Sequence, residues 1–186
     1  MDELKNIAIR ISHYDIFANI LPGALFCIIF DYYFSTCLCT LDNWILKFVI
    51  FYFIGIAIDR FGSVVIKNCL EKLGKITFKP YEDFIIAEKN DEKISVLNIR
   101  SSLIRSCMSI SLFSIIFSLI KLLESCFKAL CILSNKYSLV LIVSILLFFL
   151  FVYAYCKQTL YINKRIEEFL KRNKVKNEEK IMEEKC

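Results

Sequence analysis

The feature that most restricts how this chain can fold is the stretch at residues 137–156, whose centre reads Leu-Val-Leu-Ile-Val-Ser-Ile-Leu-Leu-Phe-Phe-Leu-Phe. A helix formed from this stretch is apolar on every face, which is typical of helices that are surrounded by lipid or buried in a protein core. Hydrophobic residues make up 57% of the chain, above the roughly 45–50% that is usual for soluble domains. This excess favours lipid as the surrounding medium.

Three further stretches, at residues 15–35, 44–65 and 103–123, also reach the roughly 20 mostly apolar residues that a transmembrane helix requires. The sequence therefore predicts an all-α integral membrane protein with four transmembrane helices. We expect the first stretch to be retained, because no Ala-x-Ala cleavage site follows it. The alternative is a soluble helical bundle in which the same segments are buried core helices.

The distribution of basic residues predicts the orientation of these helices. Lys and Arg are concentrated in the N-terminal segment 1–14, the central loop 67–102 and the C-terminal tail 157–186, whereas the loop 36–43 has none. Both termini and the central loop are therefore expected in the cytoplasm, with a multi-pass transmembrane domain at 15–156 in the inner (plasma) membrane. The net charge of +5 follows from this bias and predicts contact with anionic membrane lipid, not with nucleic acid.

Charged residues at the ends of the first two predicted spans have the spacing of facing partners. In an antiparallel hairpin, Asp31 and Lys47 meet at the outer rim and Asp15 and Arg60 at the inner rim, in registers that agree within one helical turn. We predict an ion pair at each rim, with unpaired side chains that reach the headgroups as the alternative. Asp59 faces another helix, another subunit or water, and a structural role is favoured over a proton or ion relay.

Pro22 and Gly23 lie inside the first predicted span. Pro22 has no N–H to donate, so it frees a backbone carbonyl that the nearby Asn19 side chain is placed to serve. We interpret the pair as a packing kink, and a hinge or a pore-lining bend is the alternative.

The third span carries small side chains at helical spacing. Cys107, Ser111, Ser114 and Ser118 share one stripe, and such stripes allow helices to approach closely and to hydrogen-bond. The stripe predicts packing against the first or second span. A subunit interface or the wall of a narrow polar pathway is the alternative.

Aromatic residues at the ends of the spans predict anchoring at the level of the lipid headgroups. The outer set is Tyr32, Tyr33 and Trp44, and the inner set is Tyr153, Tyr155 and Tyr161.

Four of the nine cysteines, Cys37, Cys39, Cys126 and Cys131, fall in the two predicted outer loops. We expect free thiols there, and a disulfide between the loops is the alternative in an oxidising compartment. A metal site is disfavoured by the spacing, so no metal is predicted.

The cytoplasmic segments predict a surface for protein contact. Residues 81–89 read as a short amphipathic helix that ends at Asn90-Asp91, with a β-hairpin as the alternative. In the tail, an apolar stripe predicts that the fourth helix continues to about Asn173 and then frays. The stripe packs on the central loop or on a neighbouring subunit, and it consists of Ile162, Ile166, Phe169 and Leu170.

No catalytic motif is present in the sequence: it contains no nucleotide-binding Gly loop, no G-x-S-x-G and no H-E-x-x-H. The single histidine, His13, has no evident nucleophile beside it. We therefore expect neither enzymatic activity nor a cofactor.

One set of motifs resembles a group of small bacterial membrane proteins, some of which accompany anti-phage defence systems. These include the four-helix membrane component of Kiwa and the membrane effectors of cyclic-nucleotide defence. The likeness covers roughly the first 110 residues of the chain. It rests on Tyr14-Asp15-x₅-Leu21-Pro22-Gly23 in the first span, Gly55 followed by Asp59-Arg60 in the second, and a polar segment that ends in Arg100 and Arg105.

The resemblance implies a homo-oligomeric inner-membrane component of a defence system. Such a protein would work with a cytosolic partner through the central loop 67–102 and residues 157–173 of the tail, and would either sense or perturb the membrane. Two other hypotheses stand beside it. One is a small transporter or channel whose flux depends on Asp59 or Asn19, and the other is a membrane scaffold without transport.

Overall fold

The structure is a computed structural model that describes the backbone of residues 2–127 and 136–183 and the side chains of residues 18–124 and 136–172. All regular elements in these ranges are helical, so the all-α prediction is confirmed. The main helices are α1 (Asp2–Phe34), α2 (Trp44–Phe61), α3 (Asn68–Lys72), α4 (Tyr81–Asn90), α5 (Glu92–Phe127) and α6 (Lys136–Glu183). A 3₁₀ turn (Leu38–Thr40) precedes α2, and a π-helical segment (Gly62–Lys67) joins α2 to α3.

Three helical stretches are long and apolar enough to cross a membrane: Trp44–Lys72, Glu92–Glu124 and Lys136–Arg172. Within the residues whose side chains are described, Ala18–Phe34 is a shorter apolar helix. These helices are compatible with a multi-pass membrane protein, and three of the four predicted spans coincide with helices of sufficient length.

Helices α1 and α2 form an antiparallel hairpin and cross at their glycines. A Cβ atom at Gly23 would collide with the Phe51 carbonyl, and one at Gly55 would collide with the Asn19 carbonyl. Pro22, beside Gly23, is fully buried within the uninterrupted α1. Gly23 is therefore required at this crossing, because only a residue without a side chain lets the two backbones come this close. The interpretation of the Pro22-Gly23 pair as a packing kink stays a prediction.

The contact between α1 and α5 is filled by phenyl rings. The Phe26 ring lies edge-on to Phe113 at a centroid distance of 5.4 Å, and Phe34 lies edge-on to Phe117 at 5.2 Å. Phe30 packs between them, 5.8 Å from Phe117. Such edge-to-face pairs add about 0.5–1.5 kcal/mol each beyond their area burial, so this face is a tightly packed apolar layer.

Two serines of the α5 stripe form buried hydrogen bonds to neighbouring helices. Ser118 shares a 2.5 Å hydrogen bond with the Tyr33 hydroxyl of α1, and Ser114 shares one of 2.8 Å with Ser144 of α6. Ser118 thus contacts the first span, whereas the partner of Ser114 on α6 was not foreseen. Cys107 is half-buried, and its carbonyl accepts a hydrogen bond from Ser111 within α5.

Two aromatic residues that were predicted as rim anchors belong to the core. Tyr33 and Tyr155 are 4% and 1% exposed, since their hydroxyls face polar groups of α5 inside the bundle. Trp44 and Tyr153 are exposed, as a rim position requires. The pattern of aromatics at span ends does not separate the two cases, because a tyrosine with an internal partner and one at a headgroup look alike in sequence.

A hydrophobic cluster lies at the centre of what we call the α4 unit: α4, residues 92–101 of α5 and residues 157–170 of α6. Its buried centre consists of Ala87, Ile94, Ile162 and Ile166, with Phe84, Leu97, Phe169 and Leu170 packed around it. The short helix at 81–89 is thereby confirmed over the hairpin, and the apolar stripe of the tail packs on the central loop. Helix α6 continues to Glu183, past the predicted end at Asn173.

Candidate functional site

The most distinctive polar group in the bundle is an ion pair between α2 and α5. Asp59, in the last turn of α2, accepts a 2.7 Å hydrogen bond from the Arg105 guanidinium. Both side chains are only 16% exposed. A charged pair this well shielded costs desolvation energy, which further hydrogen bonds must offset.

Hydroxyl groups of α5 and α6 supply those hydrogen bonds. Ser102 donates to the Asp59 carboxylate at 2.5 Å and accepts from Arg105 at 3.1 Å, and Ser106 lies 3.5 Å from the same carboxylate. The buried Tyr155 hydroxyl of α6 lies close to Arg105. The cluster therefore joins three helices at the end of the bundle nearest α4.

The π-helical segment begins immediately after this pair and is fitted to it. A Cβ atom at Gly62 would lie 2.6 Å from the Ser109 hydroxyl and 2.8 Å from the Arg105 Cγ. Gly62 therefore lets α2 lie directly against α5 where the Arg105 side chain leaves its helix. π-Helical insertions of this kind are rare and are frequently found at functional sites.

A cavity of about 450 Å³ opens beside the ion pair. Its polar lining includes Asn19 from α1, Asp59 and Arg60 from α2, and Asn98 and Arg105 from α5. Amides, a carboxylate and two guanidinium groups can hold water or a small polar solute at this position. Sequence reasoning singled out Asn19, Asp59 and Arg60 separately, and the fold brings them to one cavity.

The predicted ion pair at the other end of the hairpin is not formed, since no ion pair joins Asp31 and Lys47 among the described side chains. The Asp31 carboxylate instead accepts hydrogen bonds from the backbone N–H groups of Leu38 and Cys39, at 3.0 and 2.7 Å, and from the Thr36 hydroxyl at 2.5 Å. The tight turn leaves backbone donors unsatisfied, and a carboxylate one turn away satisfies several of them at once, so Asp31 is not available to Lys47.

The predicted pair at the α4 end involves Asp15, whose side chain lies outside the described residues. Arg60 is exposed and lines the 450 Å³ cavity. The Asp15–Arg60 pair stays a prediction.

Cys37 and Cys39 are free thiols, and Cys126 and Cys131 lie outside the described side chains. Burial, followed by a hydrogen bond to Asp31, raises the pKa of the Cys39 thiol, which lowers its reactivity as a thiolate. Among the side chains that the structure describes, no group of three or more His, Cys, Asp or Glu residues is arranged to hold a metal ion.

Sequence reasoning missed the partners of Asp59. Arg105 lies two residues inside the third predicted span, and Ser101, Ser102, Ser106 and Ser109 surround it in sequence. A basic residue that enters a span amid hydroxyl side chains indicates an internal acceptor, because lipid offers none. That signal was present, but the sequence does not say which acid on which helix supplies the acceptor.

Comparison of the chain with protein-family models, with curated proteins and with solved structures gave no match.

Proposed function

We propose that this chain is a four-span protein of the inner membrane in which the α4 unit lies in the cytoplasm and couples the spans to a cytosolic protein. The observation that carries this proposal is the continuity of α5 and α6, which run without a break from apolar segments into the α4 unit. Their 36 and 48 residues correspond to lengths of about 54 and 72 Å. Since the hydrocarbon core is about 30 Å thick, both helices extend well beyond it.

The exposed surface of the bundle supports a membrane location. Along α6 the exposed apolar residues recur at helical spacing, and Leu139, Leu146, Phe149 and Tyr153 are each more than 60% exposed. Trp44 and Phe53 on α2 are equally exposed. A surface of this kind would aggregate in water and is stable in lipid.

The α4 unit supports contact with a protein partner. Tyr81, Val96 and Tyr161 are 76%, 57% and 53% exposed on its surface, although a packed cluster lies directly beneath. Exposed aromatic and aliphatic side chains on a rigid base are typical of binding surfaces. A movement of the spans would reach this surface through α5 and α6.

The resemblance of the first two spans to defence-associated membrane proteins supports a role in anti-phage defence, in which the chain senses or perturbs the membrane as a homo-oligomer. The test is phage plating on cells with and without the chain, together with recovery of cytosolic proteins on a tagged chain. We expect Val96→Asp to abolish both protection and recovery, and Asp42→Asn, in the turn before α2, to leave both intact. Unchanged phage sensitivity would contradict the defence role, and ion leakage on infection would identify the effector form.

A small transporter or channel is the second candidate, and the 450 Å³ cavity that holds both Asn19 and Asp59 favours it. The test is solute flux in proteoliposomes, where this function predicts flux that falls in Asp59→Asn and Asn19→Ala. Absence of flux with the unaltered chain across a panel of ions and small solutes would exclude the candidate. The phenyl layer between α1 and α5 favours the coupling of the spans to a cytosolic protein over transport, because its packed rings leave no polar path for a solute between these two helices.

A further inference from the structure

A second cavity, of about 350 Å³, lies between α4, α5, α6 and the linker at residues 73–80. This volume falls within the roughly 300–1,000 Å³ range of small-molecule sites. Two contacts hold the linker across α6 and keep this wall of the cavity in place. The Asn163 amide donates to the Thr77 carbonyl at 2.6 Å, and Lys79 pairs with Glu167 at 2.5 Å.

The charged residues that line this cavity, in the part of the chain whose side chains are described, are all basic: Lys67, Lys79 and Arg105. Lys79 and Arg105 each already pair with a carboxylate. Lys67 differs, because its Nζ lies over the Phe78 ring, 4.2 Å from the ring centre, and none of the ion pairs among the described side chains includes it. Glu71 acts electrostatically on the Tyr155 hydroxyl of this cavity but forms no ion pair with Lys67, so Lys67 is the lining cation without a carboxylate in direct contact among the described side chains.

Arg105 adds a hydrogen-bond donor to this charge. Its Nε–H is buried and has no acceptor, although its terminal nitrogen bonds Asp59. A buried donor without an acceptor is unfavourable, so an oxyanion that reached it after a small movement of the Arg105 side chain would be bound favourably. One free cation and one free N–H together match a singly charged phosphodiester.

The position of the cavity indicates where such an anion comes from. Arg105 and Tyr155 lie just inside the apolar stretches 103–123 and 137–156, and the aromatic rings of Phe78, Tyr81 and Phe84 line the cavity on the α4 side. In a membrane, aromatic side chains collect at the headgroup level, and basic pockets at the cytoplasmic ends of spans bind anionic headgroups. On the basis of the proposed membrane location, we propose that this cavity binds the phosphate of an anionic phospholipid, with Lys67 as the counter-charge of the phosphate and Arg105 Nε as a hydrogen-bond donor.

The test measures the thermal unfolding midpoint of the full chain in detergent. The probes are phosphatidylglycerol, phosphatidylcholine with the same acyl chains, and inorganic phosphate at matched ionic strength. We expect phosphatidylglycerol to raise the midpoint more than the other two probes do. Lys67→Gln should weaken the apparent affinity for phosphatidylglycerol about tenfold, the loss of one charge-assisted hydrogen bond, whereas Lys67→Arg should retain it.

The matched control is Lys72→Gln, an exposed lysine of α3 that does not line the cavity. Equal loss in Lys72→Gln and Lys67→Gln would overturn the proposal, because it would show only general attraction of basic residues to anionic lipid. Equal effects of the two lipids, or a shift reproduced by inorganic phosphate, would also overturn it. Should Lys67→Gln fail to fold, retention of phosphatidylglycerol over phosphatidylcholine by the unaltered chain in native mass spectrometry decides the same question. Failure of the membrane location would look different: the chain would stay monodisperse without detergent.

Discussion

Asp59 and Arg105 stabilise the bundle only as a pair, because each has exchanged its water shell for the other. Loss of one member of a shielded pair leaves the partner as an uncompensated charge. The resulting loss of stability is larger than the net stabilisation that the intact pair provides. The three hydroxyl groups around the pair fix its geometry, and they increase the loss of stability that follows removal of one member. At the scale of single residues, substitution of either Asp59 or Arg105 should therefore destabilise the fold more than the position of Asp59 near the end of a helix suggests.

The first prediction concerns this pair. Asp59→Asn should lower the free energy of unfolding by about 3 kcal/mol, since it leaves Arg105 charged and unpaired. The double variant Asp59→Asn with Arg105→Gln should recover part of that loss. Unfolding in detergent, followed by circular dichroism, measures both variants and Arg105→Gln alone, and Asp42→Asn in the exposed turn is the control. A loss in the double variant equal to the sum of the single losses would show that the residues are not coupled.

The second prediction concerns the crossing of α1 and α2. Gly55→Ala should cost about 1–3 kcal/mol, because the new methyl group meets the Asn19 carbonyl and forces two backbones apart. Gly74→Ala is the comparison: Gly74 has φ +66° with no atom near its Cβ position, so only strain of about 1 kcal/mol is expected. Hydrogen exchange should rise throughout α1 and α2 in the first variant and only around residue 74 in the second. Exchange that is unchanged in α1 would contradict the crossing.

At the scale of helices, α6 packs into two different environments. Its first half contacts α5 through Ser144, Phe148 and Tyr155, and its second half closes the α4 unit through Ile162 and Ile166. The second half is fixed to the turn between α4 and α5 by Arg165, which donates to both oxygens of Asp91 at 2.5 and 3.2 Å. This contact ties the α4 unit to the long helix that carries it.

The third prediction follows from the same contact. Hydrogen bonds from Arg165 lower the pKa of Asp91 below its ordinary value of 3.8. A carboxyl group with a lowered pKa stabilises the fold above its unfolded pKa, and this stabilisation is lost as the pH falls through the folded value. The stability of the α4 unit should therefore fall as the pH drops below about 4.

Asp91→Asn should remove this part of the pH dependence, whereas Asp83→Asn, an α4 substitution that breaks no described ion pair, should retain it. Thermal unfolding of the full chain between pH 7 and pH 3 provides the measurement. Identical pH profiles for the Asp91→Asn variant and the unaltered chain would rule out a contribution from this contact.

At the scale of the whole molecule, the bundle leaves much of its apolar surface uncovered. In the most apolar stretches of Lys136–Arg172 and Trp44–Lys72, only 11% and 22% of the residues are buried. Helices of a water-soluble core bury a much larger share of their apolar residues. The α4 unit, by contrast, has its own buried cluster and is held together by ion pairs and by a side-chain hydrogen bond to a backbone carbonyl. The molecule thus divides into a part suited to lipid and a part suited to water.

The fourth prediction tests how the chain crosses the membrane. Cys37 in the α1–α2 turn and Cys69 in α3 are both exposed free thiols, which the proposed topology puts on opposite sides. In variants that keep either Cys37 or Cys69 as the single cysteine of the chain, a membrane-impermeant maleimide should label Cys37 in spheroplasts, and Cys69 only after permeabilisation. Each variant is the control for the other. Labelling of both cysteines before permeabilisation would refute the four-span arrangement.

The sequence alone determined which segments are helical and apolar, because these properties depend on local composition and on helical periodicity. Residues 81–89 and the apolar stripe of the tail could be recognised in this way, whereas the close approach of backbones at Gly55 and Gly62 could not. The tertiary structure alone decided which partners meet. The Asp31 carboxylate accepts hydrogen bonds from the turn and forms no ion pair with Lys47. The Asp59 carboxylate pairs with Arg105, which is distant in sequence. Such choices depend on how helices rotate and cross, and the packing of the entire bundle fixes those angles.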